Sequence, residues 1–265
     1  MSFAHHTDHK IRFQQQYQNA KKYLIPFIAD TMQLDQQTTI LDIGCGDGGV
    51  MSAFLEIGCE VTGIELNEYK FAFSKENLSN YLSTKQACLI KCNIYEEQAL
   101  TDLKNRFDLI ILKDVIEHIP DQERFIPYLK KFLKPGGRVF FGFPPWYMPH
   151  GGHQQICHNK LLAFLPYFHI LPKPLYVSIL KLFGEGKGVI TELSEIKDTG
   201  ISIERFEKIV RTNEYEIEKN TAYLINPIYE DKFGWKPRKQ LNLINHIPFF
   251  RNFITTCVYY VIRKN

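Results

Sequence analysis

No window of this 265-residue sequence reaches the roughly 18 consecutive apolar residues that a membrane span needs. Its first stretch, MSFAHHTDHKIRFQQQYQN, carries no long apolar core of the secretory kind. A soluble, cytoplasmic protein with no transmembrane segment is the expectation. Six cysteines stand at 45, 59, 88, 92, 157 and 257 without one C-x-x-C pair, and three of them fall in apolar, strand-like runs. That usage suits reduced thiols and excludes a disulfide framework. Also absent is any block of five or six like charges, and the formal net charge is only +3. A nucleic-acid partner is not expected, because its footprint would be a basic patch or stripe.

Apolar and aromatic residues, by contrast, are plentiful. The chain is 45% hydrophobic and 23% charged, with 20 Phe and 14 Tyr, the composition of a globular protein with an aromatic interior or pocket. From residue 38, apolar runs of strand length alternate with longer amphipathic segments: TTILDIG, GVMSAFLEIG, CEVTGIE, NEYKFAFSKENLSNYL, ACLIKCN, FDLIILKD, QERFIPYLKKFL and GRVFFGFP. Strands that are apolar along their whole length and separated by helices form a parallel sheet covered on both faces. The predicted fold is a doubly wound α/β domain.

Upstream, KIRFQQQYQNAKKYLIPFIADTM reads as a helical cover with a kink or break at Pro26. Beyond residue 143 the alternation stops, and residues 144–200 form a long irregular stretch rich in Pro, Gly, His and aromatics, a pattern that is usually functional. A helix at SIERFEKIVRTN follows, then strands at YEIEKNTAYLINP and NFITTCVYYVIRKN, expected to pair antiparallel at the sheet edge. The expected layout is one domain: a helical lid over 1–37, a cofactor-binding core over 38–143, a substrate-covering insertion over 144–200, and a helix with an edge strand pair over 201–265.

The stretch TTILDIGCGDGGVMSAFLEIG ends an apolar run on Asp42 and follows it with Gly44, Gly46, Gly48 and Gly49. A glycine-rich turn between a parallel strand and a helix lets backbone approach a ligand closely, which makes a nucleotide site. Spacing leaves its kind open. Gly44, Gly46 and Gly49 satisfy G-x-G-x-x-G, the dinucleotide fingerprint, while Gly44, Gly46 and Gly48 satisfy G-x-G-x-G. Asp42 separates the two, since a carboxylate at the mouth of the turn repels a pyrophosphate and attracts an ammonium group. Glu65, which closes VTGIE, can accept both hydroxyls of a ribose. An adenosine with a cationic amino-acid tail answers both acids. Each acid also has an ordinary reading, Asp42 as a helix cap and Glu65 as a surface acid at a strand end.

In these residues the sequence resembles the class I S-adenosylmethionine-dependent methyltransferases. ILDIGCGDGG is similar to their first motif, Glu65 to the ribose-binding acid, FDLIILKDVIEHI to the fourth-strand segment and LKPGGRVFF to the start of the fifth strand. The resemblance implies S-adenosyl-L-methionine as cofactor and a mostly parallel, seven-stranded, Rossmann-like sheet with an antiparallel last strand. It further implies that Asp42, Gly44, Cys45 and Gly46 meet the cofactor's amino-acid portion, that Glu65 binds the ribose with Leu66 next to it at the cofactor, and that Lys113 and Asp114 sit beside the methionine portion, bind the cofactor there and face the substrate cavity. At the end of the third strand, in KCNIYE, Asn93 with Ile94 stands where relatives carry an acid against the adenine amino group. Its amide oxygen can accept the same bond, and a turn-forming role competes. Glu117 and His118 in DVIEHIP read as helix-end packing or as catalytic groups.

Methyl transfer is an in-line displacement, and a hydroxyl acceptor benefits from a base within hydrogen-bond reach. The candidates lie beyond the fifth strand in FPPWYMPHGGHQQICHN: His153 and His150 as base or substrate anchor, Trp146 and Tyr147 as flat surfaces, Gln154 as a directional polar group. The ordinary alternative is that these histidines only fix the loop backbone. His150, His153, Cys157 and His158 match no zinc spacing, the tract of His5, His6 and His9 reads as solvated, and no metal is expected. LLAFLPYFHILPKPLYVSILKLFG offers an apolar acceptor pocket, a docking surface for a partner or a membrane, or plain core packing. Tyr17 and Tyr23 mark the N-terminal helix as a second lid. The expected activity is methylation of a small or lipid-like acceptor, with oxygen slightly favoured. Its rivals are a nicotinamide-dependent oxidoreductase and a cofactor-binding protein without turnover. Oligomeric state is left open.

Overall fold

A computed structural model describes residues 8–264. Asp8 caps the first helix, α1 (His9–Asn19), its carboxylate accepting from the Lys10 and Ile11 N–H groups. Residues Ala20–Leu24 are wound as a π-helical turn, and α2 (Ile25–Ala29) follows with Pro26 in its first turn. Pro26 has no N–H to give, and its ring crowds the preceding turn. The widened turn therefore stands where the kink was expected.

Strands and helices then alternate: β1 (Thr39–Ile43), α3 (Gly49–Glu56), β2 (Glu60–Ile64), α4 (Glu68–Asn77), α5 (Ser79–Ser83), β3 (Ala87–Ile90), α6 (Glu97–Leu103), β4 (Phe107–Lys113), α7 (Gln122–Tyr128) and β5 (Leu133–Phe143). These five strands are parallel in the order β3-β2-β1-β4-β5. The order reverses between β1 and β4, which opens a crevice above their carboxyl ends.

The insertion holds α8 (Lys160–Phe164), α9 (Lys173–Leu182) and α10 (Lys187–Thr199); α11 (Ile203–Thr212), β6 (Tyr215–Ile225), α12 (Ile228–Phe233), β7 (Arg238–Lys239), two four-residue helices, α13 (Asn242–Asn245) and α14 (Phe250–Phe253), and β8 (Cys257–Lys264) follow. β8 lies between β5 and β6 and is antiparallel to both, with β7 on the outer edge. The sheet thus has eight strands where seven were expected; the extra one is two residues long, too short to leave a pattern in sequence. Val258, Tyr260 and Ile262 bury on one face of β8 and Tyr259 and Val261 on the other, so this strand belongs inside the sheet. The more charged β6 takes the place nearer the edge.

Alternation along each strand builds two cores. Leu41, Ile110, Leu112, Phe141 and Tyr260 face α7 and α11 through Phe125, Ile126 and Phe206. Ile40, Leu109, Ile111, Phe140 and Tyr259 face the N-terminal helices and α3 through Leu24, Phe27 and Phe54. The insertion, read as irregular from sequence, is instead three helices around a small core of its own, with Leu162, Phe168, Tyr176, Leu180 and Leu193. On α10 the stripe Ile190, Leu193, Ile196 is helical, but Gly184, Gly186 and Gly188 just upstream obscure it. All six cysteines are unpaired, and no described helix is long and apolar enough to cross a membrane.

Candidate active site

The turn after β1 favours glycine on both conformation and space. Gly44, Gly46 and Gly48 all adopt positive φ, at 72°, 58° and 87°. At Gly44 there is also no room, because a Cβ would stand 2.7 Å from Val115 Cγ2, where the β1 and β4 turns touch. The Gly44 and Cys45 N–H groups donate to the Ile64 carbonyl at 2.8 and 3.1 Å. Glu65 accepts from the Gly46 N–H at 2.9 Å and the Asn67 N–H at 2.8 Å, one carboxylate oxygen to each. The second acid therefore braces the glycine turn from the neighbouring strand.

Asp42 is buried beneath this turn, and its Oδ2 has no hydrogen-bond partner. Burial, with Glu65 nearby, pushes its carboxyl up to about 8. A buried carboxyl without a donor, at the carboxyl end of a parallel strand, is a receptor for a donor and most of all for a cationic one. Asp47, which the sequence reading passed over, is also buried. It accepts from His9 Nδ1 and Arg12 Nε, both at 2.9 Å, and so pins α1 across the start of α3. Its signal in sequence is an acid inside the glycine turn with a cation in the preceding helix. His9 is thus held by Asp47 and stacked on Phe73 at 3.9 Å; His5 and His6 lie outside the described residues.

At the other side of the crevice β4 runs into Lys113 and Asp114, which form an ion pair. Asp114 has φ 57°, and its N–H donates to the Gly142 carbonyl at 2.7 Å. Burial by itself would lower the Lys113 ammonium, but Asp114, the Cys257 thiol and Glu117 hold it above its ordinary value. One 3-10 turn, Ile116–His118, then points Glu117 inward. Both of its carboxylate oxygens are buried without a hydrogen-bond partner, and burial together with Asp114 pushes the carboxyl well up. His118 is lowered by burial, against the pull of Asp114.

His153 arrives from the loop after β5 with φ 54°, its ring edge-on to that of His118 at 4.8 Å. One nitrogen or carboxylate oxygen from each of Glu117, His118 and His153 lies within 4.8 Å of the other two, a spacing that lets the three share a cation, and that only an intervening water would bridge for a proton. Glu117 and His153 also line a narrow cavity whose apolar walls include Pro144, Pro145, Trp146 and Ile201. The insertion clamps this corner, with Thr199 Oγ1 donating to the Glu117 carbonyl at 2.5 Å and Gln122 Nε2 to the Thr199 carbonyl at 2.6 Å.

The remaining candidates divide. Leu66 is exposed beside Glu65, and Ile94 is buried. Asn93 is exposed, and its side-chain oxygen accepts from the Tyr95 N–H at 3.0 Å, the turn-forming role. The Cys45 thiol is turned into the core under Gly63, leaving only its backbone at the turn. His150 is exposed and stands outside the Glu117 cluster. Gln154 is fully buried and donates to carbonyls at the end of α8, Leu165 at 2.6 Å being the nearest. Cys157 sits in the insertion core while His158 meets Glu185, so they form no metal group with His153. From far along the chain α12 brings Lys232 close enough to feel Asp114, Lys113 and Arg12, with burial lowering it. Nothing local in its sequence marks it.

The profile of a family described as "Methyltransferase domain" matches residues 12–157, more than half of the chain. The ubiquinone biosynthesis O-methyltransferase of Coxiella burnetii is 32% identical over 113 residues, covering 41% of this chain and 46% of that one. Its counterpart in Idiomarina loihiensis is 30% identical over 103 residues, covering 38% and 40%. The match thus spans under half the length of these relatives. Among solved structures, a putative sarcosine dimethylglycine methyltransferase from Galdieria sulphuraria superposes with a TM-score of 0.60 at 14% identity, covering 94% of this chain and 86% of that one. Geranyl diphosphate C-methyltransferase from Streptomyces coelicolor, in complex with Mg2+, geranyl diphosphate and S-adenosyl-L-homocysteine, gives 0.57 at 15%, covering 91% and 79%. Family profile, motif order and sheet topology agree that the chain belongs to the class I S-adenosylmethionine-dependent methyltransferases.

Proposed function

We propose that this protein transfers the methyl group of S-adenosyl-L-methionine to an oxygen of a small, lipid-like acceptor. The observation that carries the reading is a convergence in one crevice. Asp42, a buried acid with an unpartnered oxygen, lies one residue before the end of β1, and the cluster of Glu117, His118 and His153 stands beyond β4 and β5 against apolar walls. Asp42 takes the cofactor's ammonium group, and the backbone from Gly44 through Cys45 to Gly46 lies against its amino-acid tail. Each Glu65 oxygen, already accepting one N–H, has a second lone pair for a ribose hydroxyl. Leu66, Asn93 and Ile94 border the adenine, and the Asn93 oxygen likewise can accept twice. Lys113 and Asp114 flank the methionine portion.

His153, with Glu117 and His118 nearby, would take the proton of an acceptor hydroxyl as that oxygen bonds to the methyl carbon and the carbon–sulfur bond of the sulfonium breaks, its electron pair staying on the sulfur of S-adenosylhomocysteine. His150, exposed on the same loop, meets the acceptor only at the mouth. General-base help of this kind is worth on the order of a hundredfold to ten-thousandfold. The names of the sequence relatives, ubiquinone biosynthesis O-methyltransferases, support oxygen as the methylated atom. The unpaired thiols suit a reducing, cytoplasmic setting. The test is transfer of labelled methyl to a panel of hydrophobic phenols and alcohols, with amines as controls. Label should enter hydroxyl-bearing acceptors, and His153→Gln should lower kcat about a hundredfold or more while S-adenosylhomocysteine binds as before. Tight cofactor binding with no label in any acceptor would reduce the chain to a binding protein.

A further inference from the structure

We propose that one face of the insertion, together with residues 241–250, docks onto an anionic lipid bilayer. Leu161, Leu175 and Leu182 on α8 and α9, and Leu241, Leu243 and Phe249 before β8, are between 49% and 81% exposed. Single exposed leucines are ordinary, but Leu175 and Leu182 stand seven residues apart on one side of α9, and repeated exposure of large apolar side chains in two neighbouring segments marks a contact surface. The two stretches are joined. The Tyr167 hydroxyl donates to the Phe253 carbonyl at 2.9 Å, and the Tyr147 and Tyr167 rings lie 5.4 and 6.0 Å from that of Phe253.

Charge selects the occupant. No Asp or Glu occurs from residue 124 to residue 184, nor after Asp231. The exposed charges interleaved with these side chains are therefore basic: Lys160 and Lys181 in the insertion, Lys236, Arg238 and Lys239 at the edge strand. The exposed acids Glu192, Glu195 and Asp198 lie on α10, and Asp198 is paired with Lys173 at 2.5 Å. Apolar side chains protruding among lysines fit a surface that is negative at its rim and apolar below, which is an acidic phospholipid bilayer. A second copy of the same face does not fit, because a two-fold contact would set basic groups against one another. Trp146, which lines the cavity of Glu117 and His153, is followed by Tyr147, whose ring packs on Phe253, so docking would bring the loop that borders the site near the bilayer and open a route for an acceptor dissolved there. That route rests on the proposed lipid-like acceptor; the docking does not.

Sedimentation of the full chain with vesicles, without cofactor or acceptor, tests the docking apart from the activity. The protein should sediment with vesicles of equal parts phosphatidylglycerol and phosphatidylcholine, stay in solution with phosphatidylcholine alone, and release as salt is raised. Leu182→Asp combined with Leu243→Asp should weaken binding on the order of a hundredfold, and Lys181→Gln about fivefold, with S-adenosylhomocysteine binding unchanged as the check on folding. Equal binding by the double variant, or no preference of the wild type for the acidic vesicles, overturns the proposal. So does a dimer in vesicle-free light scattering that Leu182→Asp abolishes, since the face would then belong to a second copy.

Discussion

Asp42→Asn separates charge from shape at the cofactor site, because the amide keeps the size of the carboxyl and removes its charge. With its carboxyl pushed up to about 8 by burial and Glu65, Asp42 is only about 10% ionised at pH 7 and about 1% at pH 6. Binding a ligand ammonium requires the ionised form, so affinity should rise about tenfold per pH unit between pH 6 and 7. The rise should level off near pH 8, where Asp42 is half ionised and the ligand's own α-amino group, at roughly 7.7–8.0, begins to lose its proton. Calorimetry in two buffers of different ionisation enthalpy should also show close to one proton released on binding at pH 7. In Asp42→Asn both the slope and the proton release should vanish, and affinity at pH 8 should fall by about 2–4 kcal/mol, the scale of one charge pair near 4 Å in an effective dielectric of 20–40. Stability shifts the other way. The folded apo protein keeps a proton on Asp42 that the unfolded chain has lost, so wild-type stability declines between about pH 4 and pH 8, by at most ~1.4 kcal/mol per unit. The amide variant lacks this decline. A wild type whose affinity is flat from pH 6 to 8, or a variant that keeps the slope, refutes the assignment of Asp42 to the ammonium group.

Other substitutions probe the scaffold and the acceptor side. Gly44→Ala should cost about 1–3 kcal/mol in chemical denaturation, part from positive φ and part from Val115; adding Val115→Ala should recover the steric part only. Asp47→Asn should cost roughly 1–3 kcal/mol and speed amide hydrogen exchange over residues 9–19, and unchanged exchange there would show that α1 is held by other contacts. Glu117→Gln should lower kcat, and combining it with His153→Gln should cost little more than the worse single change, as for groups acting as a unit. Additive losses in that pair would mean that the two side chains act separately.

The sheet from β1 to β5 was legible because its strands are apolar on both faces and its turns carry glycine where positive φ is required. Asp42 and Glu65 were legible for the same reason, since each ends an apolar strand beside that turn. The Glu117, His118 and His153 cluster was only half legible. His153 stands 35 residues from His118, and only the pairing of β4 with β5 brings the loops after them together. Asn93 was ambiguous because one amide oxygen serves a turn and a ligand equally well. Lys232 was invisible, because nothing local marks it. The apolar run of the insertion was legible only as a choice between acceptor pocket, docking surface and core packing, because its sequence does not say which side chains stay exposed.

The most direct test of the central claim is calorimetric titration of the purified protein with S-adenosylmethionine and S-adenosylhomocysteine, against NAD as the control ligand, repeated on Glu65→Ala. Both sulfur nucleosides should bind the wild type, NAD should not, and Glu65→Ala should weaken binding by about 3–6 kcal/mol, the cost of two charge-assisted hydrogen bonds. Binding of NAD alone would contradict the account and return the glycine turn to the dinucleotide reading.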